Sequence, residues 1–221
     1  MDSRKKAGGG FTLIELLVVV SVLGILMAVL LPRIFSTQTA TNLAACKMNL
    51  KNLYQMLTSY KMQNHDKWPR ESGVRFVLAV TQKKTIYEPT EQNVGTFFCP
   101  AIRGGNYLKA VEKPEAWFCP GGKKLDQAES ADSDYAGRDM VRWYKGVGTS
   151  NMQALVCDDN EGGVPNHPDV MNVLFAGGQI QDFTFQAWID EGLIGPEENV
   201  PVGPDSPIQT KRCDLTKLRY D

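Results

Sequence analysis

Few residues in this 221-residue chain are of types that do chemistry. His167, with Asp158, Asp159 and Asp169 nearby, is the one local group suited to acid–base work or metal binding. A histidine beside Pro168 in a loop is more often structural than reactive, so no residue is assigned a catalytic role. No glycine loop followed by Lys-Ser or Lys-Thr occurs to cradle a phosphate. No serine or cysteine has the surroundings of a nucleophile, and an enzyme is not expected. The stretch Asp132-Ser133-Asp134-Tyr135-Ala136-Gly137 lacks the ligand spacing of a calcium loop and reads as a polar turn. Asp158-Asp159-Asn160-Glu161 is the one place where calcium is conceivable, but a solvated loop is the plainer reading, and no cofactor is assigned.

The five cysteines are Cys46, Cys99, Cys119, Cys157 and Cys213. Their odd number leaves at least one thiol free or paired between chains. Phe97-Phe98-Cys99-Pro100 and Trp117-Phe118-Cys119-Pro120 share Phe-Cys-Pro. Two readings compete for this echo. A Cys99–Cys119 disulfide would close the loop and stabilise it by about 3 kcal/mol in the chain-entropy picture. Metal binding would need a nearby second ligand of the Cys-x-x-Cys kind, which neither site has, so no metal ligand is assigned. The disulfide is favoured, although sequence does not fix connectivity. Cys213 is expected to tether the C-terminal tail, with Cys157 as the guessed partner.

These residues must be positioned by a chain that begins with an unusual element. From Phe11 to Leu31 only Thr12, Glu15 and Ser21 interrupt an apolar run. As a helix this length rises about 31 Å, enough to cross a hydrocarbon core. Arg4, Lys5 and Lys6 precede it and favour a cytoplasmic N-terminus. Glu15 is an anion near the start of that span, and the run offers it no cation. A secretory signal peptide would have a shorter apolar region and a small-x-small cleavage site, absent around Leu26–Pro32.

A short basic leader, then Gly10, then Phe11-Thr12-Leu13-Ile14-Glu15 resembles the class III leader of type IV prepilins and type II secretion pseudopilins. The resemblance implies cleavage between Gly10 and Phe11 by a prepilin peptidase, and N-methylation of Phe11. It implies assembly with other pilin or pseudopilin subunits, in which Glu15 meets the amino terminus of a neighbour's Phe11. It places the chain in a bacterial inner membrane, with the domain after the span in the periplasm. There the cysteines would meet an oxidising compartment. Some pseudopilins hold calcium in a C-terminal loop, which is what brings the Asp158–Glu161 stretch to mind. A second resemblance is to prepilin-like proteins with a His, nine residues, then Asp-Gly. Here His167 is followed by nine residues and then Gly177-Gly178, so the expected Asp is Gly177. The competing reading is a membrane-anchored exported ligand-binding protein that does not polymerise.

The expected organisation is a leader at 1–10, a membrane and assembly helix at 11–31, and its amphipathic continuation at 32–66. A globular domain follows at 67–194, with a Pro-rich irregular tail at 195–221. Pro32 is expected to kink the helix without ending it. Leu43, Cys46, Leu50, Leu53, Leu57 and Tyr60 recur at spacings of three and four, a stripe that should face a core. The helix should stop near Asn64-His65-Asp66, before Trp68-Pro69. Ala154–Cys157 reads as a buried strand, and 172–176 with 179–183 as a hairpin about Gly177-Gly178, setting Phe175 opposite Ile180. Residues 121–151 read as loop-rich. The fold class is therefore α+β and pilin-like: a long N-terminal helix on a small antiparallel sheet. A net charge of −1 gives no support for a nucleic-acid partner.

Overall fold

The computed structural model describes residues 12–144, 152–158, 166–196 and 200–219. The chain divides into two compact units, Met1–Thr41 and Asn42–Asp221. Helix α1 (Leu13–Gln63) contributes to both.

In the first unit α1 opens on a capping box. The Glu15 amide donates to Thr12 Oγ1 at 3.3 Å, and the Thr12 amide donates to the Glu15 carboxylate at 2.8 Å. The Thr12 hydroxyl adds a further bond to the same carboxylate at 2.7 Å. Donors that a first helical turn leaves free are thereby satisfied. Every side chain from Leu13 to Leu31 is exposed, and these 19 residues are long and apolar enough to cross a membrane. Ser21, Thr37 and Thr41 donate their hydroxyls to carbonyls four residues back, which hides their polarity within the helix. The helix continues past Pro32.

In the second unit the predicted stripe is buried. Cys46, Leu50, Leu53 and Leu57 are fully enclosed, while Leu43 and Tyr60 at its ends are half-buried. The helix ends where His65 and Asp66 adopt left-handed φ angles of 57° and 61°. The Asp66 amide then donates back to the Lys61 carbonyl, closing the last turn.

A five-stranded sheet lies beside this stripe. Its strands are β1 (Tyr135–Arg138), β2 (Ala154–Asp158), β3 (Val170–Phe175), β4 (Ile180–Thr184) and β5 (Leu218–Arg219), in the order β4-β3-β2-β1-β5, all antiparallel. Alternation sends Tyr135, Val156 and Leu174 into the core containing α1, and Ala136, Cys157 and Val173 into a second core. A bulge between Ala154 and Val156 lets Leu155 join the first core beside Val156. Five short helices surround the sheet: α2 (Val74–Leu78), α3 (Glu91–Gly95), α4 (Gly105–Glu112), α5 (Met140–Trp143) and α6 (Phe185–Asp190). Phe97, Phe98, Tyr87, Trp117 and Phe118 pack edge-on and tilted in the first core, the Phe97 and Trp117 centroids 5.2 Å apart.

The structure refines several expectations. The stretch 121–151 contains β1 and α5, and the supposed polar turn at Asp132–Gly137 runs into a strand. Ser133 and Asp134 are polar because they bind backbone: Ser133 Oγ donates to the Phe97 carbonyl, and Asp134 accepts from the Cys99 amide. The tail is irregular and packs on the domain over most of its described length. Val200, Val202, Ile208, Leu215 and Leu218 are buried in the second core, and β5 pairs with β1. In the hairpin Ile180 pairs with Leu174, not Phe175. The Phe175 amide donates to the Gln179 carbonyl and the Gly178 amide to the Phe175 carbonyl, so the loop takes in three residues, Ala176, Gly177 and Gly178. Gly178 alone supplies the positive φ, at 81°.

Candidate functional site

Four distant segments converge inside the second unit. Cys46 comes from α1, Cys99 from the segment after α3, Asp158 from the end of β2 and His167 from the bends before β3. Cys46 Sγ donates to Asp158 Oδ1 at 3.0 Å and lies 3.4 Å from the Tyr135 hydroxyl. His167 Nε2 is 3.5 Å from Cys99 Sγ and 3.7 Å from Asp158 Oδ2. The donor atoms of Cys46, Cys99 and His167 all lie within 4.8 Å of one another.

A polar cradle holds the cluster. Asn172 donates both its amide and Nδ2 to Asp158 Oδ2, at 3.0 and 2.7 Å. The Cys99 amide donates to Asp134 Oδ2 at 2.7 Å, and Asn166 Nδ2 donates to the Asp134 carbonyl at 2.8 Å. Burial sets the electrostatics. It pushes the Asp158 carboxyl up to about 6, against the Cys46 hydrogen bond and the His167 charge, and Asp134 up to about 7. The Cys46 hydrogen bond, opposed by burial and aided by His167, brings Cys99 down to about 5. Cys46 itself moves well up, chiefly through its bond to Cys99 and then by burial. Burial works against charge on His167, but the Cys99 bond and the Asp158 charge hold its pKa above the ordinary value. A thiolate–imidazolium pair often marks a nucleophile. Here Cys99 is 0 % exposed and His167 2 %, so no substrate reaches either in this conformation.

The structure therefore rearranges the expected partnerships. Cys99 and Cys119 are not joined. Cys119 Sγ donates to the Glu115 carbonyl at 3.1 Å, while Cys99 turns to His167 and Cys46. Phe-Cys-Pro recurs because each Phe is needed in the aromatic core, and the two thiols end in different surroundings. Cys157 and Cys213 are buried in the same second core. Asp158, read as part of a solvated acidic loop, points inward, and Asp159–Glu161 lie outside the described residues. Cys46 was legible as a buried thiol, but its partners were not. It meets an aspartate 112 positions away and Cys99 meets a histidine 68 positions away, so no local spacing announces them. Gly177 is exposed at the tip of the hairpin.

The other candidate region is the start of α1. Glu15 is exposed and held by Thr12, while Gly10 and Phe11 lie outside the described residues. Residues 5–31 match the prokaryotic N-terminal methylation motif. That match covers the class III prepilin leader and the start of α1, and the chain is similar to pilins and pseudopilins. The chain is 25% identical over 174 residues to type II secretion system core protein G of Pseudomonas aeruginosa, covering 76% of this chain and 97% of that one. It is 29% identical over 146 residues to type IV major pilin protein PilE1 of Neisseria gonorrhoeae, covering 60% of this chain and 79% of that one. No solved structure matches. The long N-terminal helix and the antiparallel sheet agree with the pilin-like α+β class.

Proposed function

We propose that this pilin-like protein is a filament subunit, assembled into a type IV pilus or a type II secretion pseudopilus. Prepilin peptidase cuts after Gly10, Phe11 is N-methylated, and the subunit waits in the inner membrane with its N-terminus cytoplasmic. The carrying observation is the surface of α1 from Leu13 to Leu31. It is apolar on every side, none of it is buried within the chain, and it carries one carboxylate, Glu15. Such a surface must be covered by lipid before assembly and by neighbouring helices afterwards. The capping box satisfies the hydrogen bonds of Glu15 without neutralising its charge. The amine of a neighbour's Phe11 supplies the opposite charge, and methylation keeps that amine basic. Glu15 then sets the register between subunits.

The test is the intact mass and first residue of the protein recovered from its native membranes. A chain beginning at N-methylated Phe11 is expected. Glu15→Ala should leave membrane insertion unchanged and remove the subunit from sheared filaments. A chain that keeps residues 1–10 and is absent from filaments would overturn the reading and leave an anchored exported domain, whereas normal polymerisation of Glu15→Ala would overturn the register role given to Glu15.

A further inference from the structure

We propose that Cys46, Cys99 and His167 bind a zinc ion that staples α1 to the sheet, with Asp158 completing the site. The inference concerns the second unit alone and does not depend on filament assembly.

Donor type and placement carry it. Two thiols and an imidazole nitrogen are the set that zinc prefers over harder cations. Zinc–sulfur and zinc–nitrogen bonds of about 2.3 and 2.0 Å set tetrahedral edges of about 3.5 Å. Cys99 Sγ and His167 Nε2 already stand 3.5 Å apart, and all three donors fall within 4.8 Å. An ion can enter by small side-chain rotations. Asp158 Oδ1, 3.0 Å from Cys46 Sγ, is placed to fill the fourth position.

Burial adds a second, independent argument. Asp158 is 1% exposed, and no lysine or arginine among the described residues forms an ion pair with it. Among the described residues its one ion-pair partner is His167, at 3.7 Å, too long for a hydrogen bond. A buried carboxylate so placed is costly without a cation. A divalent ion would take that role and bind both sulfurs as thiolates, displacing whatever protons Cys46, Cys99 and His167 Nε2 carry. The outer cradle is already built: Asn172 fixes Asp158, Asp134 fixes the Cys99 backbone, and the Tyr135 hydroxyl lies beside Cys46. Ligands from α1, the segment after α3 and the bends before β3 would then be cross-linked in one step, as a disulfide would link only two of them.

The experiment titrates the full-length protein with Co2+ alone, after purification in detergent under reducing conditions and without metal-affinity steps. A thiolate-to-cobalt charge-transfer band is expected, saturating at one ion per chain and displaced by Zn2+. Peptide mass spectrometry in mild denaturant should show Cys46 and Cys99 alkylated more slowly with metal than without it, and Cys119 unchanged. Cys99→Ser should remove the band and Cys119→Ser should keep it. Asp158→Asn should weaken cobalt binding by about 10–100-fold. If Cys99→Ser fails to fold, the wild-type titration and the alkylation pattern still decide. A reduced, folded wild type that gives no band overturns the proposal. So does a band unchanged in Cys99→Ser, or native protein isolated with a Cys46–Cys99 disulfide.

Discussion

The two halves of α1 carry opposite imbalances. From Leu13 to Leu31 the helix shows apolar side chains to its surroundings in every direction. From Cys46 to Leu57 it buries its apolar stripe completely, and at one end of that stripe it buries a thiol against a carboxylate, a tyrosine and a second cysteine–histidine pair. The first half has hydrophobic surface that this chain does not cover. The second has polarity that this chain does not fully neutralise. Both are incomplete alone, but what completes them differs: lipid or neighbouring subunits for one, a cation for the other. A residue's exposure therefore has a different meaning on each half of the same helix.

Truncating a leucine on each half should break the symmetry most strongly. Leu53 is fully enclosed among Leu50, Leu57 and the sheet. Leu53→Ala should cost about 2–5 kcal/mol in urea unfolding, because the lost transfer energy is joined by a cavity. Leu23 is 52% exposed. Leu23→Ala should change the same unfolding curve by no more than about 0.5 kcal/mol. Its effect should appear instead as reduced recovery in sheared filaments. Equal losses in the unfolding assay would show that the exposed half packs within the chain after all.

The hairpin separates two neighbouring glycines. Gly178 has φ of 81°, and a Cβ there would stand 2.6 Å from the Tyr54 ring on α1. Gly178→Ala should destabilise by about 1–3 kcal/mol, through overpacking and backbone strain together. Gly177 is exposed, outside the left-handed region. Gly177→Asp, which restores the residue expected by the His-plus-nine pattern, should leave thermal unfolding within about 0.5 kcal/mol of wild type. A large loss from Gly177→Asp would mean that the hairpin tip itself packs against something.

The same contrast explains what could be read from the sequence. The α1 stripe was legible because helical periodicity is local, and so was the helix end before Trp68-Pro69. The capping box Thr12-Leu13-Ile14-Glu15 was also present in the letters, but Glu15 drew attention as a charge, which hid its role as a cap. Strand β1 was illegible because its four residues include Gly137, whose lack of a side chain admits the Gly73 carbonyl, and because Ser133 and Asp134 imitate a turn. The tail's packing was hidden because Val200, Val202, Ile208 and Leu215 follow no period between prolines. The Cys46–Cys99–Asp158–His167 cluster was illegible for a stricter reason. Each residue arrives from a different element, so only the folded chain places them together.

A further small effect isolates an exposed charge pair from this buried polarity. Lys47 follows Cys46 on α1 and donates to Asp182 on β4 at 2.9 Å, with side chains 34% and 49% exposed. The hydrogen bond from Lys47 holds the Asp182 pKa below its ordinary value of 3.8. A carboxylate depressed in the folded state stabilises above its unfolded pKa, and that contribution disappears as pH falls through the folded value. Lys47→Met should therefore cost only about 0.2–1 kcal/mol at neutral pH, less in high salt. Wild type and variant should begin to converge as pH falls below the unfolded aspartate pKa of about 4, and meet below the depressed folded pKa of Asp182. A loss several times larger at neutral pH, insensitive to salt, would mean that Lys47 supports the adjacent Cys46 cluster as well as Asp182. The buried polarity would then reach the surface through α1, and the boundary drawn between the two kinds of charge would have to move.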